Sequence, residues 1–320
     1  MIPPGLAAQP RVALGALPTP LQPAPRLSKE VGVEIWFKRD DLTGLGLGGN
    51  KVRALEFVLG AAAAAEADCL ITGGGPSSNW AMLAALAART RGMDAVLVYY
   101  GDPVPFTGNL ALAELVGAEI HFTGDTERSS VETTAELIAD GMRAAGRRPY
   151  TLGRGGAGPV GALGYLTATG ELAAQAAELD LKPSQLWLAT GSCGTHAGLV
   201  AGAAVHGVGW QVHGVTVSRP VDECVERVAA IAADACKLIG AAPPVDPPIV
   251  HPEALSASGY GEPSAESTAA AELVARTEGV FLDPVFAAKA MAGLLGAARS
   301  GAAHGPVVFL VSGGAPTLFG

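Results

Sequence analysis

This sequence predicts an α/β protein of two domains, each an open, mostly parallel twisted sheet flanked by helices, and three observations carry that prediction. Short β-branched or aliphatic runs alternate with longer Ala/Leu-rich segments, the pattern left by a parallel sheet wrapped in helices. The chain has 320 residues, room for about two domains of roughly 150 residues each. Three aliphatic runs end directly in glycine-rich turns that open helical segments, and ligands of open α/β sheets collect at such strand ends.

The first predicted strand, 34–38, is apolar until it meets Lys38-Arg39-Asp40-Asp41. A glycine-rich loop separates it from a helix over 51–65, whose alanine run 61–65 reads as a helix end. Strand 69–72 stops at Gly73-Gly74-Gly75-Pro76, after which 79–91 has helical composition. Strands at 95–100 and 119–122 alternate with helices at 108–116 and 126–145, and helix 160–178 follows a further cluster of glycines. Strand 186–190 leads into helix 196–205, and strand 211–216 into helix 222–239. Helices at 265–278 and 286–298 precede the last strand, 307–311. No internal repeat is evident.

Hydrophobic residues make up 49% of the chain and charged residues only 16%, so buried cores are expected and disorder is not. A formal charge of −9 gives no attraction to nucleic acid or to an anionic membrane surface. Cys69, Cys193, Cys224 and Cys236 are too irregularly spaced for a disulfide framework or a metal site, which fits reduced thiols in a cytoplasmic protein. The proline-rich first 25 residues do not resemble a signal peptide, and no apolar stretch reaches membrane-span length uninterrupted. His121, His206, His213, His251 and His304 lack ligand spacing, so no metal is assigned.

The turn Gly191-Ser192-Cys193-Gly194-Thr195 follows an apolar strand and opens a helix. Its amides and the Ser192 and Thr195 hydroxyls suit a phosphate, although a plain strand–helix turn capped by Thr195 has the same pattern. Cys193 reads as a small residue tolerated in that turn rather than as a nucleophile paired with His196. Gly44, Gly46 and Gly49 match the dinucleotide pattern GxGxxG, yet Gly153, Gly155 and Gly158 match it again. In a chain with 43 glycines chance explains both, and NAD is not assigned. Lys51 is different in kind. It begins a helix close to Arg53, and both the helix dipole and the neighbouring charge disfavour its protonated form, as Schiff-base chemistry requires.

The segment Gly48-Gly49-Asn50-Lys51-Val52-Arg53-Ala54-Leu55-Glu56 resembles the cofactor-lysine signature of the D-cysteine desulfhydrase and 1-aminocyclopropane-1-carboxylate (ACC) deaminase family, within the fold-type II enzymes of pyridoxal 5′-phosphate (PLP). The resemblance continues through Ser78-Asn79, the 191–195 turn, Gly259-Tyr260-Gly261, Leu282-Asp283-Pro284-Val285 and Ser312-Gly313-Gly314. It implies a large PLP-binding domain of residues 1–52 plus 155–320, a small domain of 53–154, and a cofactor cleft between them. It further implies that Lys51 holds PLP and then shuttles the α-proton. Asn50 and Asn79 would hold the cofactor, Gly191, Ser192, Cys193, Gly194 and Thr195 would seat its phosphate, and Ser312 would face the pyridine nitrogen. Ser77, Ser78, Trp80, Tyr260 and Phe286 would line the substrate pocket, with Ser78 and Tyr260 as further catalytic groups.

The activity so implied is elimination from the β-carbon of a small D- or L-amino acid, yielding a keto acid and ammonia, by a homodimer. Ala54, Trp80, Phe286 and Ala287 depart from the family pattern, removing polar groups and making ring opening of a cyclopropane substrate a poor fit. A β-replacement synthase and a PLP-binding protein without turnover are the alternatives.

Overall fold

A computed structural model describes residues 3–252 and 262–319. Among the described residues ten strands form two sheets: β1 (Leu21–Pro23), β2 (Ile35–Arg39), β3 (Cys69–Gly74), β4 (Asp94–Tyr99), β5 (Glu119–Phe122), β6 (Pro149–Thr151), β7 (Gln185–Thr190), β8 (Gln211–Thr216), β9 (Ile249–His251) and β10 (Val307–Val311). The larger sheet has the order β1-β2-β10-β7-β8-β9, the smaller β5-β4-β3-β6. Every pairing is parallel except that of β1 with β2. Val307–Val311, an unbroken apolar run, and Cys69–Gly74, apolar up to Thr72 and its two glycines, are buried along their whole length. Three-residue β1, β6 and β9 carry no readable pattern, because each is short and β1 and β6 contain proline. The helix expected from 126 starts at Ser130, and the one expected from 286 starts at Ala287.

The two sheets have separate apolar cores. Phe37, Trp187, Leu282, Met291 and Phe309 belong to the larger, and Leu70, Leu83, Leu97, Tyr99 and Trp80 to the smaller. Each fully buried side chain of this size contributes about 1.5–3 kcal/mol. Trp36, on β2, is only half-buried, with its indole N–H donated to Glu34.

Helix Lys51–Ala64 connects the sheets: Val52, Leu55, Val58 and Leu59 pack in the small-sheet core, while Arg53 turns the other way into a buried ionic cluster. Arg53 Nε donates to Asp40 Oδ2 at 2.7 Å, and its Nη2 to Glu171 Oε1 at 2.7 Å. Thr19 and Tyr165 donate to the same Asp40 carboxylate, and Lys38 to Glu171. Burial alone pushes Asp40 up, but Arg53 outweighs it and holds the carboxyl below its ordinary value. The proposed division at residue 52 therefore falls in the first turn of one continuous helix. Among the described residues no helix is long and apolar enough to cross a membrane.

Candidate active site

The carboxyl ends of β3, β7, β8 and β10 and the start of helix Lys51–Ala64 converge on a cleft of about 930 Å³, counting its solvent-open part. Two glycine-rich turns pack back to back to make its floor. Asn50 N donates to Ser312 O at 2.9 Å, and Gly313, at φ 83°, would place a Cβ 2.6 Å from Gly49 Cα. Only glycine allows that approach, and it sets Lys51 beside Ser312. The GxGxxG-like segment 44–49 is part of this floor and not a strand-to-helix dinucleotide turn.

Burial lowers the Lys51 amine to about 8, while the thiol of Cys193 opposes the shift. The direction agrees with the one expected from the sequence but the cause differs, since Arg53 is committed to Asp40 and Glu171. Among the described residues no oxygen accepts from Lys51 Nζ. Facing it, Cys193 takes a left-handed conformation (φ 76°) and opens helix Gly194–His206. No acceptor among the described residues takes the amides of Ser192, Cys193, Gly194 or Thr195. Successive free amides at a helix start form an anion seat. Asn50 Nδ2 donates to Thr195 Oγ1 at 3.0 Å, tying this turn to the lysine loop.

Gly191, Ser192, Asn50, Lys51, Asn79 and Ser312 all line the cleft, as do Ser78, Trp80 and Phe286. Cys193, buried within the turn, and Gly194 and Thr195 are outside the lining. Ser77 is exposed and outside the lining, and only its carbonyl is engaged. Tyr260 lies outside the described residues. Trp80 is 2% exposed, with its indole N–H satisfied by Thr72 Oγ1 at 2.8 Å, so it walls the cleft without offering it a donor. Phe286 N and Ala287 N donate to the buried Asp283 carboxylate, each at 2.9 Å, which fixes the backbone that carries Phe286. Burial pushes Asp283 up to about 6 despite those bonds.

Four residues at the site carry no signal in the sequence, and Asn109 is the first. Asn109, buried in helix Gly108–Leu115, donates Nδ2 to Asn79 Oδ1 at 2.7 Å and to Ser77 O at 2.9 Å. That bond occupies the Asn79 oxygen and leaves Asn79 Nδ2 for the cleft. Arg128, Arg154 and Arg219 also line the cleft and were not anticipated. Among the described residues no group of three or more His, Cys, Asp or Glu side chains is arranged to hold a metal.

An amine of pKa about 8 and, opposite it, a turn of amides, both without an acceptor among the described residues, fit a phosphorylated aldehyde. A two-sheet α/β protein with such a site is of the PLP-using kind. The match of residues 12–313 to the model described as "Pyridoxal-phosphate dependent enzyme" places the chain in that family. It is 39% identical over 98% of its length, and 94% of theirs, to a protein of Pyrococcus abyssi provisionally named a 1-aminocyclopropane-1-carboxylate deaminase. It is 38% identical, over 97% and 95%, to a D-cysteine desulfhydrase of Klebsiella pneumoniae. The crystal structure of an ACC deaminase homologue superposes with a TM-score of 0.93 at 36% identity, over 98% of this chain and 95% of that one. A threonine deaminase at 21% identity and TM-score 0.69, over 92% of both chains, shares the fold. The protein is thus an enzyme that uses PLP.

Proposed function

We propose that the enzyme is a lyase that removes a β-substituent from a small amino acid, giving a keto acid and ammonia. The observation that carries this reading is the Lys51 amine, half-buried, without an acceptor among the described residues and of lowered pKa at the edge of the cleft. When bound, PLP supplies an electron-withdrawing ring that stabilises negative charge at the substrate Cα. Lys51 Nζ would hold the cofactor aldehyde covalently, the amides of 192–195 its phosphate, Asn79 Nδ2 a ring oxygen, and the Ser312 hydroxyl the ring nitrogen. A hydroxyl there does not force that nitrogen to carry a proton, which limits charge build-up on the ring and favours elimination over transamination.

Lys51, once freed by the incoming substrate amine, would present a neutral Nζ able to accept the α-proton. The β-substituent would depart with the electron pair of its bond to Cβ as the α-proton passes to Lys51. Water then releases the product as keto acid and ammonia. Ser78 Oγ accepts from Ala81 N at 3.2 Å, so its O–H remains to donate to the substrate carboxylate. Trp80 and Phe286 exclude water from the side where the substituent leaves.

The test is Lys51→Ala in parallel with the wild type, challenged with β-substituted amino acids of both configurations. The wild type is expected to give keto acid without an added nucleophile, and the variant to lose both turnover and the visible cofactor band. Borohydride trapping of another lysine would sink the proposal. Turnover that depends on a second nucleophile would point to a replacement synthase.

A further inference from the structure

The charged residues of the cleft all have one sign. Apart from Lys51 they are Arg128, Arg154 and Arg219, and no Asp or Glu among the described residues lines it, in a chain of formal charge −9. The cofactor phosphate has the amide turn 192–195, and the substrate α-carboxylate has Ser78 and the start of helix Asn79–Thr90. Neither anion requires these three guanidinium groups.

Arg128 and Arg154 enter from segments that follow β5 and β6 of the small sheet, and Arg219 from the segment after β8. The backbone N and Nε of Arg154 both donate to Glu132 Oε1, at 3.1 and 2.8 Å. That carboxylate grips only the inner edge of the guanidinium; among the described residues Nη1 and Nη2 have no acceptor. Arg219 is steadied likewise, its Nη1 donating to Glu223 and its Nε to Gly191 O at 3.3 Å. A guanidinium fixed at one edge presents its remaining forked donors to an oxyanion without first having to be ordered.

We propose that the substrate carries, besides its α-carboxylate, a second anionic group on its side chain, and that Arg154 selects it, with Arg128 and Arg219 as the other cations of the wall. This deepens the lyase reading and rests on it. Carboxylate, sulfonate and phosphate share the required chemistry, three oxygens or two in a plane that a guanidinium can bridge. If the anionic group is itself the β-substituent, a sulfonate leaves as sulfite and an O-linked phosphate as phosphate, each with the electron pair of its bond to Cβ; a side-chain carboxylate is bound by the arginine and is not the leaving group.

The test uses the PLP-loaded enzyme and follows the change in visible cofactor absorbance as amino acids are added. Aspartate, 3-sulfoalanine and O-phosphoserine separate the three anions; asparagine, alanine and O-acetylserine are their neutral counterparts, each in both configurations. At least one anionic probe is expected to bind roughly ten- to hundred-fold tighter than its counterpart, the worth of a charge-assisted pair. Arg154→Gln is expected to bring that ratio close to one while cofactor loading is retained, and Arg154→Lys to restore part of it. Equal binding of charged and neutral probes by the wild type overturns the proposal. So does an Arg154→Gln protein that loses cofactor affinity but keeps the ratio, because the arginine then serves the phosphate. Neutral amino acids that shift the band and yield keto acid, with no preference for the charged ones, sink this inference alone. A loaded enzyme that responds to no amino acid sinks the lyase reading with it.

Discussion

Asn109 Nδ2 donates to Asn79 Oδ1 at 2.7 Å, and this single bond decides which end of the Asn79 amide faces the cleft. Asn109 is buried and its second donor goes to Ser77 O, so one side chain holds the whole 77–79 turn. It is a positioning residue. Asn109→Leu keeps the volume and removes the donors. It is expected to weaken PLP binding by about 1–3 kcal/mol in a fluorescence titration of cofactor-free protein, and to shift the cofactor absorbance maximum. Unchanged affinity and spectrum would remove Asn79 from the cofactor's partners.

Covalent capture of PLP should follow the titration of Lys51. Burial depresses this amine from 10.5 to about 8, so the folded protein releases the proton before the unfolded chain does. The reactive neutral amine accumulates as pH rises through about 8, and capture by the apoenzyme should climb between pH about 6 and about 9 and then level off. The same shift makes folding stability contributed by this group increase from pH 8 towards 10.5. Stopped-flow absorbance at the visible cofactor band reads the rate; a midpoint near 10.5 would mean that burial does not act on the amine.

Asp40→Ala tests the buried cluster. The substitution leaves Arg53 partly unpaired in a dry interior, where Glu171 is its remaining acid. A loss of about 3–5 kcal/mol in equilibrium urea unfolding is expected. Because Arg53 lies two residues from Lys51 on the same helix, cofactor affinity should fall with it. A change under about 1 kcal/mol would show that the cluster is dispensable.

Gly313→Ala should disturb the cleft floor, since its Cβ would stand 2.6 Å from Gly49 Cα. The expected effect is reduced cofactor occupancy together with lower stability. Gly301→Ala is the control: its φ is also positive, at 76°, but nothing lies within 4 Å of the added carbon. It should cost about 1–2 kcal/mol and leave the cofactor spectrum alone. Identical spectra for the two variants would contradict the tight approach of the two turns.

The strands legible in the sequence are those buried on both faces, because an unbroken aliphatic run such as Val307–Val311 must be covered from both sides to leave water. The edge strands at Leu21–Pro23 and Ile249–His251 lacked length and pattern. In the site, glycine turns and the lysine after them were legible because backbone approach and an anion seat demand particular residue types in particular order. Asn109 was not, because an asparagine near a helix start looks like ordinary capping until the chain brings it to Asn79. The cause of the Lys51 shift was misread for a related reason: sequence adjacency to Arg53 says nothing about side-chain direction, and that guanidinium points to Asp40. Arg154 likewise gained meaning only when Glu132 fixed its inner edge beside the cleft.

Helix Lys51–Ala64 has its apolar face embedded in the small-sheet core and Arg53 clamped by Asp40 and Glu171 on the large-sheet side. A covalent bond made at Lys51 is therefore formed at a rivet shared by both halves. Neither sheet can shift against the other without bending this rod or moving Lys51, so a cofactor bond formed there would be strained by any such shift.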